Sequence, residues 1–369
     1  MNSKYYPLIK LARQASLMKR RFTLPIKLFT SGFIRSESYY PELPQKSKFR
    51  IAMELLGHIM KYGSIEWHYF SYGLDVKGLH DKNDYIDDNW FLWKSSMLNT
   101  VLANHDYTCI LRDKDLFATL LTAWGYETPH TIACVRSTKE REEVAGRLLS
   151  GKGAFFCKPL DGECGGGVFQ LLVLDGLVEI DGKGMSKDEA EKLLKERFEQ
   201  NPYLVQTLVV QHPEICKIYD KAVNTLRLIT VFDRKGGQVV PLSAVLRVGA
   251  HGNTIDNWAA GGLAVGIDME TGRLKEYGFY KHGMGGTKTN CHPDTGIGFE
   301  GFELPFYREA VEKALKLHER LLPVVVIGWD IAITPNGPVF IEGNDNMEIS
   351  INQEVNGGLK KVLRTFCGF

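Results

Sequence analysis

The chain of 369 residues is long enough for two or three domains, and its 44% hydrophobic and 24% charged residues are ordinary for a globular protein. The net charge is +1, no nucleic-acid partner is expected, and no run approaches the 18 apolar residues of a spanning helix. Seven cysteines (109, 134, 157, 164, 216, 291 and 367) without a C-x-x-C pair argue for reduced thiols and a cytoplasmic setting, against a disulfide framework or a zinc site.

The charge is unevenly placed. Residues 1–50 carry eleven Lys/Arg against Glu37 and Glu42, which gives +9 and leaves −8 for the rest. In YYPLIKLARQASLMKRRFTLPIKLF (5–29), Leu8, Leu11, Ala12, Ala15 and Met18 fall at helical spacing, with Lys10, Arg13 and Lys19-Arg20-Arg21 between them. The stretch lacks the continuous apolar core of a secretory signal. Two readings stand: a basic amphipathic element in peripheral contact with an acidic membrane surface or partner, or a helix packed on its own domain with a solvated basic face. SESYYPELPQKSK (36–48) reads as a linker, so 1–48 forms a basic segment with its linker. Residues 49–112 are helical in pattern and aromatic-rich, from FRIAMELLGHIMKYG to WFLWKSSMLNTVLANH, and their aromatics suit a core.

In DKDLFATLLTAWGYETPHTIACV (113–135), Leu116, Leu120, Leu121 and Trp124 line one helical face, Gly125 stops the helix, and 131–135 read as a strand. REEVAGRLLS is then helical, AFFCKP a strand, VFQLLVL a strand beyond a glycine loop, and KDEAEKLLKERFEQ a helix. YLVQTLVV, NTLRLITVF and VVPLSAVLRVG follow as strands. After a glycine-rich stretch come the helix PFYREAVEKALKLHERLL and a hairpin. This order gives an α+β core with antiparallel sheets and not a doubly wound one.

The hairpin IGWDIAITPNGPVFIEGNDN (327–346) sets Asp330 and Glu342 in apolar strands, where a charge is costly unless compensated. Glu342 and Asn344 are two apart and share a face. A two-residue Asn-Gly turn would pair 335 with 338 and send Asp330 to the opposite face. A three-residue loop Pro335-Asn336-Gly337 pairs 334 with 338 and 330 with 342, and is the expected form. Facing carboxylates repel unless a cation lies between them, and oxygen ligands without His or Cys suit Mg2+ or Mn2+. A solvated hairpin face is the plain alternative.

Five further segments carry chemistry. AFFCKPLDGECGGGVFQL (154–171) places Lys158 at a strand end before Gly162 and Gly165-Gly166-Gly167, so backbone N–H groups can approach phosphate. It is not a P-loop, since no G-K-[ST] occurs. YLVQTLVVQHPEI (203–215), broken by Gln206 and Gln211, could offer an adenine its backbone edge and an amide. Arg227 and Arg247, each within a β run, suit a phosphoryl or carboxylate clamp, or a structural ion pair. The loop 282–305 is long, glycine-rich and polar, and is expected to cover the acceptor. Its His282 and His292 lack a third metal ligand and read as substrate contacts or bystanders, and Cys164 has no visible base partner.

In this order the segments resemble the ATP-grasp superfamily over residues 113–350. The pairing of QHPEI with NTLR, and of GWDIAIT with IEGN, resembles its sugar-transfer associated subgroup. The resemblance implies an ATP-grasp fold: two α+β subdomains with antiparallel sheets clasping ATP, a small lid subdomain at 113–210 and a large metal and catalytic subdomain at 211–369, preceded by a mostly helical region. It implies ATP and Mg2+ as cofactors, with Mn2+ as the alternative ion. Lys114, Lys158, Asp161, Gly165, Gly166, Gly167, Gln206 and Leu208 would hold the nucleotide, and Asp330, Glu342 and Asn344 the metal. Arg227, Arg247 and Asn257, the last within DNWAAGG (256–262), would be catalytic. The activity implied is joining a small-molecule carboxylate to an amine, either of them sugar-linked, through an acyl phosphate, in polysaccharide or glycoconjugate biosynthesis. Phosphotransfer to a hydroxyl and a non-catalytic nucleotide-binding role are the alternatives. Asp330→Ala or Glu342→Ala is expected to abolish ADP formation with the fold intact.

Overall fold

The computed structural model describes residues 6–87, 105–160, 166–345 and 347–367. Helix α1 (Tyr6–Thr30) is followed by α2 (Lys48–Tyr62), which Ser47 caps by accepting from the Arg50 N–H and which ends at Gly63 with φ 70°. Then come α3 (Cys109–Arg112) and α4 (Lys114–Ala123). The first sheet holds β1 (Thr131–Val135), β2 (Gly153–Pro159), β3 (Phe169–Leu174), β4 (Leu177–Ile180), β5 (Lys183–Met185) and β6 (Tyr203–Thr207). Its order is β1-β6-β2-β3-β4-β5, with every neighbour antiparallel. Helices α5 (Thr138–Ser150) and α6 (Lys187–Gln200) cover it, each started by a Ser/Glu capping box, and bury Val144, Leu148, Leu194 and Phe198 against Cys157, Phe169 and Val205.

After α7 (Pro213–Ile218) the second sheet is built from β7 (Thr225–Asp233), β8 (Gln238–Val248), β9 (Leu263–Ile267), β10 (Leu274–Tyr280), β11 (Lys288–Thr289), β12 (Val326–Thr334) and β13 (Gly337–Asn344). It runs β11-β10-β9-β8-β7-β12-β13 and is also antiparallel. Helix α8 (Tyr307–Arg320) packs on one face, where Ala310, Ala314 and Leu317 meet Leu226, Leu228, Leu246, Ile331 and Phe340. Strand alternation sends Arg227, Val245 and Asp330 to the other face. Helices α9 (Ser350–Asn356) and α10 (Lys360–Cys367) close the described chain.

Two expectations change here. Residues 36–48 are no linker: Tyr39 is buried and donates to the Tyr280 carbonyl (2.8 Å), and Lys46 pairs with Glu54 (2.9 Å). The N-terminal region shares a core with the second sheet, Leu55, Ile59, Tyr69 and Phe70 packing with Val245, Ala264 and Phe279. Helix α4, grouped from sequence with the first sheet, buries Phe117 and Leu121 in the core beneath the second.

The hairpin differs from its expected form. Thr334 pairs with Gly337, so the loop is the two residues Pro335-Asn336, and a β-bulge at Ile341 restores Asp330 opposite Glu342. Packing supplies the reason. Phe340 lies edge-on to Trp329 (5.6 Å between ring centres) in the core under α8, while Glu342 must face the opposite side. Residues two apart in a regular strand share a face, and the extra residue between them breaks that rule.

Candidate functional site

A cavity of about 750 Å3 lies between the sheets. From the first sheet it is lined by Phe156, Lys158 and Gln206, and from the second by Arg227, Arg247, Asp330, Glu342 and Asn344. Lys114, Gly166, Leu208 and Asn257 complete the sequence-predicted residues that it gathers. Gly167 is adjacent but does not line the cavity; its carbonyl accepts from the Tyr203 hydroxyl (2.8 Å). Asp161 and Gly165 lie outside the described residues.

The centre of the site is one rung across three strands: Arg227 on β7, Asp330 on β12 and Glu342 on β13 are consecutive register partners. Arg227 donates through Nε and Nη2 to the two oxygens of Asp330 (2.5 and 3.0 Å), and Arg247 Nη2 stands 3.3 Å from Asp330 Oδ2. Burial would raise the Asp330 pKa, but Arg227 and Arg247 outweigh it and hold the carboxyl below its usual range. Arg247 is itself fixed by Thr225 Oγ1 (2.7 Å from Nη2) and by Asp256 (3.4 Å). Burial raises the Asp256 pKa, with Arg247 and Thr225 working against that shift. Among the described residues, both arginines leave Nη1 without a protein hydrogen bond, so each retains a donor for a substrate.

Lys158 enters from β2 and is 5% exposed. Its Nζ donates to the carbonyl of Ile341 (3.4 Å), the bulge residue, so the irregularity in β13 also serves the lysine. Desolvation and the neighbouring Lys114 push the Lys158 pKa down to about 8, against the pull of Glu342 and Asp330. Lys114 begins α4 behind its cap Asp113 and donates to the Leu160 carbonyl (3.2 Å). Asn344 Nδ2 is 3.4 Å from Glu342 Oε1. Three oxygen-bearing side chains from one end of a hairpin, with no His or Cys among them, fit a hard divalent cation such as Mg2+.

Gln206 is buried, and its amide donates to the Pro129 carbonyl (3.0 Å). Of the stretch expected to offer a backbone edge, residues 203–207 are paired with β1 and β2, and the Leu208 N–H donates to Ala154 O (3.1 Å). Asn257 accepts from the Ala259 N–H (2.9 Å) and so caps a short turn at Trp258–Ala260. That turn closes at Gly261 (φ 94°) and Gly262, where a Cβ would stand 2.8 Å from the Val248 carbonyl oxygen.

No residue of 282–305 lines the cavity; the loop packs Phe299 and Leu304 into the core under the second sheet. His292 is fully buried on the Gly249 carbonyl (2.8 Å), and His282 lies edge-on to Phe33 (5.3 Å), so both are structural here. Sequence reasoning missed Thr225 and Asp256, although Asp256 opens the DNWAAGG segment. It also missed cavity-lining Trp258, Lys281 and Glu348. Lys281 and Glu348 pair at 3.3 Å across 67 residues of chain, and no local pattern announces that.

Two antiparallel sheets clasping a basic cavity that ends on an acidic hairpin define an ATP-grasp fold. The sugar-transfer associated ATP-grasp family matches residues 96–368, and this chain belongs to it. Solved structures similar to it include a biotin carboxylase in complex with β,γ-ATP from Campylobacter jejuni (10% identity, TM-score 0.45, 76% of this chain and 53% of that one). Others are D-alanyl-alanine synthetase A from Vibrio cholerae (11%, 0.40, 74% and 67%) and an L-amino acid ligase from Bacillus licheniformis (13%, 0.41, 70% and 48%). A similar 2-oxoglutarate carboxylase domain from Hydrogenobacter thermophilus is spanned over 46% of its length. Comparison with curated protein sequences gives no match.

Proposed function

We propose that this chain is an ATP- and Mg2+-dependent carboxylate–amine ligase acting through an acyl phosphate, on small-molecule substrates of polysaccharide or glycoconjugate biosynthesis. One observation carries the reading: Lys114, Lys158, Arg227 and Arg247 converge with Asp330, Glu342 and Asn344 on one cavity of about 750 Å3. Phosphoryl transfer mainly needs positioning and charge neutralisation, and this set supplies both. Family membership supports the nucleotide and the sugar-related setting.

The apolar walls at Phe156, Val168 and Leu208 suit a purine base. Lys114 and Lys158 hold phosphate oxygens, Lys158 all the more strongly for being out of water. Asp330, Glu342 and Asn344 would hold Mg2+, which neutralises phosphate charge when bound. Attack of the substrate carboxylate at the γ-phosphorus breaks the bond to the β-phosphate, releases ADP and leaves the acyl phosphate. The amine then attacks the acyl carbon, phosphate departs with the bonding pair, and the amine nitrogen loses a proton. Arg227 and Arg247 stabilise the oxyanion of that second step through their remaining N–H groups.

The test is hydroxylamine trapping. The protein, ATP, Mg2+ and a panel of amino acids, uronic acids and other small carboxylates are expected to yield ADP and a hydroxamate only with the correct acid. A phosphorylated alcohol without hydroxamate would overturn the proposal.

A further inference from the structure

We infer that helix α1, with α2 beside it, is a docking face for an anionic lipid surface. Sixteen large hydrophobic residues are exposed among the described residues, and eight of them lie on these two helices: Leu11, Met18, Phe22, Ile26 and Phe29 on α1, and Phe49, Met53 and Met60 on α2. The helices hold only 25 and 15 residues. So many exposed apolar side chains on so little chain mark an interaction surface.

Their placement is regular. At 3.6 residues per turn the five α1 residues fall within an arc of roughly 80°. The core side of α1 is elsewhere: Leu28, fully buried, and Leu24, packed beside it, lie about 120° and about 160° around the helix from the middle of the stripe. The stripe is therefore a second apolar face and not the side that holds α1 to the protein. In α2, likewise, Phe49, Met53 and Met60 share one side, whereas Ile51, Leu55 and Ile59 are buried on another. Trp67, 40% exposed, stands next to α1 with Lys27 Nζ over its ring (5.6 Å), and Trp is a usual residue at a lipid interface.

Charge selects the occupant. The first acidic residue of the chain is Glu37, so α1 has none, and Lys19, Arg20 and Lys27 are exposed on it. An apolar stripe on a helix that carries only positive charge complements a bilayer with acidic headgroups, which attract each nearby Lys or Arg. No helix among the described residues is long and apolar enough to cross a membrane, so the contact lies in the interface plane. The face is remote in role from the cavity, because none of these residues lines it.

Co-sedimentation of the full chain with vesicles tests this. Binding is expected to vesicles of phosphatidylcholine mixed with phosphatidylserine, and to weaken on adding salt. It is expected to fall about tenfold or more with phosphatidylcholine alone and in the double variant Phe22→Glu/Ile26→Glu. Lys19→Gln/Arg20→Gln is expected to weaken it and flatten its salt dependence. These side chains are exposed, so unchanged melting of the variants separates lost docking from lost fold. Absence of binding, equal binding by the Glu variant, or a solution dimer that the Glu variant dissociates would overturn the inference.

Discussion

The carboxylate of Asp330 and that of Glu342 face each other but are held differently, and substitution should separate them. Asp330 neutralises two largely buried guanidinium groups, so Asp330→Ala leaves both short of a partner and should cost about 3–5 kcal/mol of stability, read as a lower unfolding midpoint. That departs from the expectation that either alanine variant keeps its fold. Glu342→Gln keeps shape and leaves the arginine pairs intact, so its melting should be unchanged while ADP formation drops by about 10²–10³-fold. Lys158 gives a pH signature. Its pKa falls from 10.5 in the unfolded chain to about 8 in the fold. Between those values the unfolded state binds more protons, so stability rises with pH across this window and the penalty is fully present below pH 8. Function has the opposite sign, because the charged lysine is the form that binds phosphate. The kcat/KM for ATP should fall as pH rises through about 8, and Lys158→Arg should remove that limb, since arginine stays charged. A flat profile in the parent protein would refute the role given to Lys158.

At the scale of elements, two irregularities create the site. The bulge at Ile341 turns Phe340 into the core and Glu342 into the cavity, and it frees a carbonyl for Lys158. The turn at Trp258–Ala260 delivers Asp256 to Arg247. Gly262 permits that delivery by its close approach to the Val248 carbonyl. Gly262→Ala should therefore lower stability by about 1–3 kcal/mol and reduce turnover, by displacing Asp256 and Asn257. Thermal melting alongside ADP release measures both, and a variant indistinguishable from the parent would contradict the packing described.

On the scale of the molecule, the family match begins at residue 96, but the fold does not. Tyr39, Ser71 and Ile86 make hydrogen bonds to Tyr280, Glu354 and Gln353, and the N-terminal aromatics share a core with Val245 and Phe279. A fragment starting at residue 96 would expose that face of the second sheet. It should be recovered mostly as aggregate, and any soluble fraction should lack a cooperative thermal transition. A fragment that melts like the full chain would show that the N-terminal region is dispensable to the fold.

Periodicity and spacing were sufficient for the α+β class and the antiparallel sheets, because alternation is a local property of the chain. The rung that puts Asp330 opposite Glu342 was expected from a three-residue loop, and the structure reaches it by another route, the bulge at Ile341. Periodicity and spacing were not sufficient for the Pro335-Asn336 loop and its compensating bulge, which the burial of Phe340 beside Trp329 decides. Nor could they show that Arg227 and Arg247 both close on Asp330, that Gln206 spends its amide on Pro129, or that residues 36–48 are packed. The contacts of Arg227 and Arg247 with Asp330, of Gln206 with Pro129 and of Tyr39 with Tyr280 each join groups more than 70 residues apart in the chain, and such meetings are settled by competition for buried space and for charge partners.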